Sequence, residues 1–147
     1  MWAIIIGGSS YAHIVYFPPY LSNLPASNQL ITGVYGLQDQ NFWMLVHPFA
    51  IVSSISALVL NRKLKARRKF ILIAVAIYAL AILFTAIYFV PELTAFANTN
   101  NATAVNPAEL FQRGQTWQYR SWIRGVFLFF GFIMLLMALE KKGTIKE

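Results

Sequence analysis

The chain has 147 residues, 58% of them hydrophobic and 12% charged, with a mean hydropathy of +0.56. A soluble domain carries about 25% charged residues, so an ordinary cytosolic globular protein is excluded. The absence of Cys excludes disulfides, thiolate metal sites and cysteine nucleophiles. The net charge of +7 is placed as a membrane-topology signal, so no nucleic-acid partner is expected.

Residues 1–17 are apolar apart from Ser9, Ser10 and His13. They lack a basic leader, and Tyr16-Phe17-Pro18-Pro19 is unlike a small-residue cleavage site, so a short first transmembrane helix is expected in place of a signal peptide. Gly7-Gly8-Ser9-Ser10 offers that helix a small surface for close contact. An outer loop follows over 18–41, with an apolar patch from Leu30 to Tyr35 suited to a short interfacial helix. Residues 42–60 and 70–90 carry no charge, and 121–139 carries only Arg124. About 20 residues cross ~30 Å of hydrocarbon as a helix, so each run is long enough. Pro48 is expected to kink the second helix.

Between the second and third helices, Arg62, Lys63, Lys65, Arg67, Arg68 and Lys69 crowd one short link, and Lys141, Lys142 and Lys146 lie in the C-terminal tail. The positive-inside rule puts both on the cytoplasmic side; anionic lipid binding is the alternative reading of the link. The second outer loop, 91–106, includes the polar run Asn98-Thr99-Asn100-Asn101 and a sequon, Asn101-Ala102-Thr103, to which no role is given. Asn106-Pro107-Ala108-Glu109 is a helix-start signal, so the last helix is expected over 107–139, its membrane part 121–139, with a bend or break at Gly114. The expectation is one all-α domain, 1–147: an integral membrane four-helix transmembrane bundle with both termini cytoplasmic, in a bacterial cytoplasmic membrane with the lipid bilayer as its partner.

The polar residues of these helices share a depth on this reading. His13 lies five residues before Pro18, and His47 five after Phe42, which puts both about 7 Å below the outer surface. Tyr78, Thr85 and Glu92 repeat every seven residues, with Ala81 and Tyr88 on the same face. Arg113, Trp117, Arg120 and Arg124 share a face of the last helix. One outer-half polar cavity is expected. An ionisable group in the apolar slab costs about 2.5–3.5 kcal/mol and needs a partner; for Arg124 the expected partner is Glu92, then Asp39 or Glu109. Snorkelling is the alternative for Arg120 and Arg124. A neutral, hydrogen-bonded core imidazole is the alternative for each histidine. Trp43, Trp117 and Trp122 fall where interfacial anchors belong.

The run Tyr16-Phe17-Pro18-Pro19-Tyr20-Leu21 with Leu24-Pro25, the long outer loop, and a last helix entered through Trp117-Gln118-Tyr119-Arg120-Ser121-Trp122-Ile123-Arg124 resemble the small four-helix membrane proteins of unknown function grouped with the anthrone oxygenases. The resemblance implies oxidation of a polycyclic aryl ketone by O2 without a bound cofactor. His47 or Glu92 would be the base and Arg120 or Arg124 the cation that stabilises the enolate. Tyr78, Tyr88 and Trp117 would line the site for a small hydrophobic aromatic ligand. One alternative is haem b, or a divalent metal, held by His13 and His47, with Glu92 as a third metal ligand. Another is a non-catalytic accessory subunit of a larger membrane complex, or a homo-oligomer.

Overall fold

The computed structural model describes residues 1–99 and 106–141. Asn100 of the polar loop, the Asn101-Ala102-Thr103 sequon, and Lys142 and Lys146 of the basic tail lie outside the described residues. Among the described residues every regular element is a helix. Helix α1 covers 2–22, its α-helical parts Trp2–Tyr11 and Phe17–Ser22 joined by a π-helical segment, Ala12–Tyr16. A 3-10 turn, Ala26–Asn28, leads into the short α2, Gln29–Thr32. Helix α3 is Asp39–Leu60, α4 is Lys65–Ala97 with a second π-helical segment at Thr85–Phe89, and α5 is Pro107–Glu140. Helices α3, α4 and α5 are long and apolar enough to cross a membrane. Their outward faces carry exposed Phe49, Ile87, Val126 and Phe127, a surface suited to lipid. The chain is an integral membrane protein.

The prolines explain the two π-helical segments. Proline has no N–H and its ring collides with the carbonyl four residues earlier. In α1 the chain widens before Pro18-Pro19: the Phe17 N–H bonds to the Ala12 carbonyl, five residues back. In α4 the Val90 N–H does the same to Thr85, just before Pro91. Each widened turn lets the helix continue through proline. The first helix therefore does not end near residue 17 but runs to Ser22. Pro48 sits inside α3 with no π-helical segment beside it.

Helix α5 begins as its sequence requires, the Asn106 side chain accepting from the Ala108 N–H at 2.9 Å. The helix does not break at Gly114, and α5 is continuous from Pro107 to Glu140. The glycine serves packing instead: a Cβ there would lie 3.2 Å from both the carbonyl oxygen and Cβ of Leu21. Helix α1 runs antiparallel to α5 in a register set by three contacts: Leu21 on Gly114, His13 on Ser121 and Trp2 on Gly131. From Gly131 to Leu139 is about 12 Å of helix, so α1 is shifted toward the end of the bundle that carries residues 23–38. At the opposite, basic end the Arg67 Nε–H donates to the Lys141 carbonyl at 2.6 Å, which ties the end of α5 to the first turn of α4.

The interior has two apolar cores. One gathers Tyr16, Phe17, Tyr20, Leu21, Phe89, Phe96 and Trp117; the other gathers Trp2, Ile5, Val46, Ala50, Ala74, Tyr78, Leu128 and Met134. Between them along α4 and α5 lie Thr85, Ser121 and Arg124. Gly114→Val is expected to lower stability by about 1–3 kcal/mol through overpacking. At Gly7 an added Cβ meets nothing within 4 Å, so Gly7→Ala should be neutral or stabilising. Thermal unfolding in detergent compares the two.

Candidate functional site

The polar residues do not form one cavity; α4 distributes them over three levels. Nearest the loop end, Glu92 accepts two hydrogen bonds from Arg113, Nε at 3.0 Å and Nη2 at 2.9 Å. Arg113 also lies over the Phe96 ring at 5.4 Å. This fork-on-carboxylate geometry occupies the carboxylate that was expected to serve Arg124. Arg120 is exposed and lies over the Tyr88 ring at 4.9 Å, away from the interior.

At the middle level Arg124 is held by neutral groups. Its Nη1 donates to Thr85 Oγ1 at 2.7 Å and its Nη2 to Ser121 Oγ at 2.9 Å. Its guanidinium carbon sits 4.1 Å from the centre of the Phe89 ring. Thr85 in turn donates to the Ala81 carbonyl at 2.7 Å, and Ser121 Oγ lies 2.8 Å from His13 Nε2. Glu92–Arg113 is the one ion pair among the described residues, so Arg124 has no carboxylate there. Charge-assisted bonds and a desolvated cation–π contact of about 2 kcal/mol offset the cost of the half-buried cation.

Both π-helical segments feed this level, π turns being frequent at functional sites. His13 belongs to the first; Thr85 and Phe89 belong to the second. The first also frees a backbone group: with the Phe17 N–H bonded to Ala12 and no N–H on Pro18, the His13 carbonyl has no helical donor. Gln118 Nε2 supplies one at 2.9 Å. Trp117 is 2% exposed and donates to the Phe89 carbonyl at 3.0 Å. It is a core residue of this level, not an interfacial anchor. Four buried atoms here have no hydrogen-bond partner among the described residues: His13 Nδ1, Tyr16 Oη, Gln118 Oε1 and Arg124 Nε.

Toward the basic end, His47 Nδ1 lies 2.7 Å from Tyr78 Oη, and its ring stacks on Trp43 at 5.5 Å. Tyr78 is buried beside Trp2, ring centres 5.2 Å apart. From Tyr78 to Thr85 is about 10 Å along α4, so the two histidines lie at different depths. The expectation of equal depth fails for two reasons. Helix α1 continues past its prolines, and the chain turns at residues 33–36, with the Leu37 N–H on the Leu30 carbonyl at 2.8 Å, so that α3 begins at Asp39 with Phe42 against Gly8. His13, His47 and Glu92 occupy three levels, and no group of three His, Cys, Asp or Glu suited to a metal occurs among the described residues. Two axial ligands must both reach one iron, and His13 and His47 do not converge as such a pair, nor does the trio converge on one metal ion.

Ser121 as the bridging hydroxyl and Thr85 as a ligand of Arg124 were not singled out from sequence. The available signal was Ser121 lying three residues before Arg124 on one helix face. No family model matches the sequence, and no curated protein or solved structure matches it either. Ser121→Ala would leave His13 Nε2 and Arg124 Nη2 without their shared partner, at an expected cost of about 1–3 kcal/mol for each buried group. Glu92→Gln, at a pair with side chains 37% and 23% exposed, is expected to cost about 0–1 kcal/mol. Unfolding of both variants in one detergent checks the ranking.

Proposed function

We propose that this integral membrane protein binds a hydrophobic aromatic molecule bearing an oxygen that carries, or develops, negative charge. The binding groups are His13, Ser121 and Arg124. The observation that supports this is the half-buried Arg124, whose guanidinium has two hydroxyls and a ring as partners and no carboxylate among the described residues. An uncompensated cation in an apolar surrounding attracts an anionic oxygen strongly, because little solvent screens it. Phe89 lies against the Arg124 guanidinium, and Phe17, Trp117 and Trp122 lie around the His13 ring, aromatic surroundings suited to a flat ligand.

In the enzymatic form of this reading the ligand is an enolisable polycyclic aryl ketone, the class that the resemblance to the anthrone oxygenase-related proteins implies. With the Nε2–H of His13 donated to Ser121, the lone pair on the unpartnered Nδ1 takes a proton from the ring methylene that is conjugated with the carbonyl through the aryl rings. The electron pair moves onto the carbonyl oxygen, where Arg124 stabilises it. Dioxygen is the co-reactant: one O2 turns the methylene into a second carbonyl with release of one water. His13 replaces His47 and Glu92 as the preferred base in this reading, since His47 is bonded to Tyr78 and Glu92 to Arg113. In the topology that accompanies it, α1 is the fourth membrane helix and the basic end faces the cytoplasm.

The test uses purified full-length protein and anthrone under argon. Wild type is expected to bind it and raise the visible absorbance of the enolate, and admitted O2 is then consumed in a 1:1 ratio with ketone. Arg124→Gln should weaken binding by about tenfold or more, equivalent to roughly 1.4 kcal/mol. His13→Ala should bind anthrone without forming the enolate. Equal binding by wild type and Arg124→Gln would sink the proposal and leave an accessory subunit as the better reading.

A further inference from the structure

A groove of about 220 Å³ runs between α1 and α5 on the lipid-facing side. Its walls include Ser9, Ser10 and His13 from α1, and Trp122, Gly125 and Phe129 from α5. The residues are small on one side and aromatic on the other. Trp122 and Phe129 are 41% and 52% exposed, so the groove opens where lipid would lie. At Gly125 an added Cβ would meet nothing within 4 Å, so this glycine is not needed for helix packing. That separates it from Gly114 and Gly131, where a Cβ meets Leu21 or Trp2. An α-helix interior disfavours glycine by about 1 kcal/mol relative to Ala. Open space is what it leaves here.

His13 joins the groove to the charge. It forms part of the groove wall, is 3% exposed, and its Nδ1 has no hydrogen-bond partner among the described residues. Its other nitrogen is one hydroxyl away from Arg124, through Ser121 at 2.8 and 2.9 Å. An apolar cavity of about 150 Å³ holds one benzene ring, so this groove takes a fused-ring body edge-on, with any surplus remaining in lipid.

We propose that this groove is the binding slot by which the aromatic ligand reaches His13 from the bilayer, and that Gly125 sets the width of ring system admitted. The inference rests on the function proposed above and adds the route and the specificity-determining residue. The occupant is the ring body of that ligand: the walls are apolar and aromatic, and the half-buried cation lies beyond the imidazole at the groove's inner edge. Ring body and oxygen make separable contributions, one to the groove and one to Arg124.

The test uses full-length protein in phosphatidylcholine vesicles, with anthracene and anthrone as probes and quenching of tryptophan emission as the readout. Trp122→Phe identifies the signal from the groove. Gly125→Leu is expected to weaken both probes by about tenfold or more, while Gly125→Ala and the lipid-face control Gly7→Leu stay within about twofold. Arg124→Gln should weaken anthrone and leave anthracene unchanged. If Gly125→Leu does not yield a monodisperse protein, Ser10→Leu blocks the same groove from α1 and carries the same expectation. Unchanged binding of both probes to the blocked protein overturns the groove proposal, whatever Arg124→Gln does. Loss of both probes on blocking, with no selectivity in Arg124→Gln, upholds the groove and overturns the charged-oxygen reading instead.

Discussion

The half-buried guanidinium of Arg124 is the constraint around which the rest of this bundle is arranged. A cation in the apolar slab must be surrounded by acceptors or expelled. Here three helices contribute to holding it. Thr85 and Phe89 come from α4, Ser121 from α5 itself, and His13 from α1 reaches it through the serine. Removing one helix would leave donors without acceptors in a medium with no water to replace them. The polar level therefore fixes the register of α1 against α5 more sharply than the two apolar cores could, since hydrocarbon contacts tolerate sliding and hydrogen bonds do not.

The prolines supply the irregular backbone that this level needs. Pro18 and Pro91 each follow a π-helical turn, and those two turns carry His13 on one side and Thr85 with Phe89 on the other. Widening a helix by one residue rotates the side chains of that turn relative to the rest of the helix. It also frees a carbonyl, which at His13 is answered by Gln118. Local backbone cost and polar convergence are thus coupled. Pro48, in α3, has no such turn, and among the described residues no α3 side chain hydrogen-bonds Arg124.

Charge placement along α4 and α5 separates two kinds of cation. Arg113 meets a carboxylate and is neutralised in a half-exposed pair. Among the described residues Arg124 meets only neutral acceptors, so no carboxylate neutralises it there. Both lie on one face of one helix, and what distinguishes them is depth: Glu92 sits one helical turn beyond Tyr88, level with Arg113 and too far toward the loop end for Arg124.

What the sequence by itself determined is whatever depends on neighbours along the chain. The apolar runs mark the spanning helices because crossing lipid requires about 20 such residues. Asn106 marks the start of α5 because its side chain needs only the amide two residues on. The shared face of Trp117 and Arg124 follows from helical periodicity, and both contact Phe89, one through its carbonyl and the other through its ring. The tertiary structure decided the pairings. Glu92 took Arg113, Arg124 took Thr85 and Ser121, Trp117 went to the core, and His13 and His47 parted. Depth counted from helix ends at Pro18 and Phe42 misses two local features: a π-helical turn carries α1 on to Ser22, and the turn at 33–36 sets where α3 begins. Axial offsets between helices are sums of such local irregularities and of packing at glycines such as Gly8 and Gly114. Neither is written in the period of a single helix, so only the assembled bundle sets which polar groups meet.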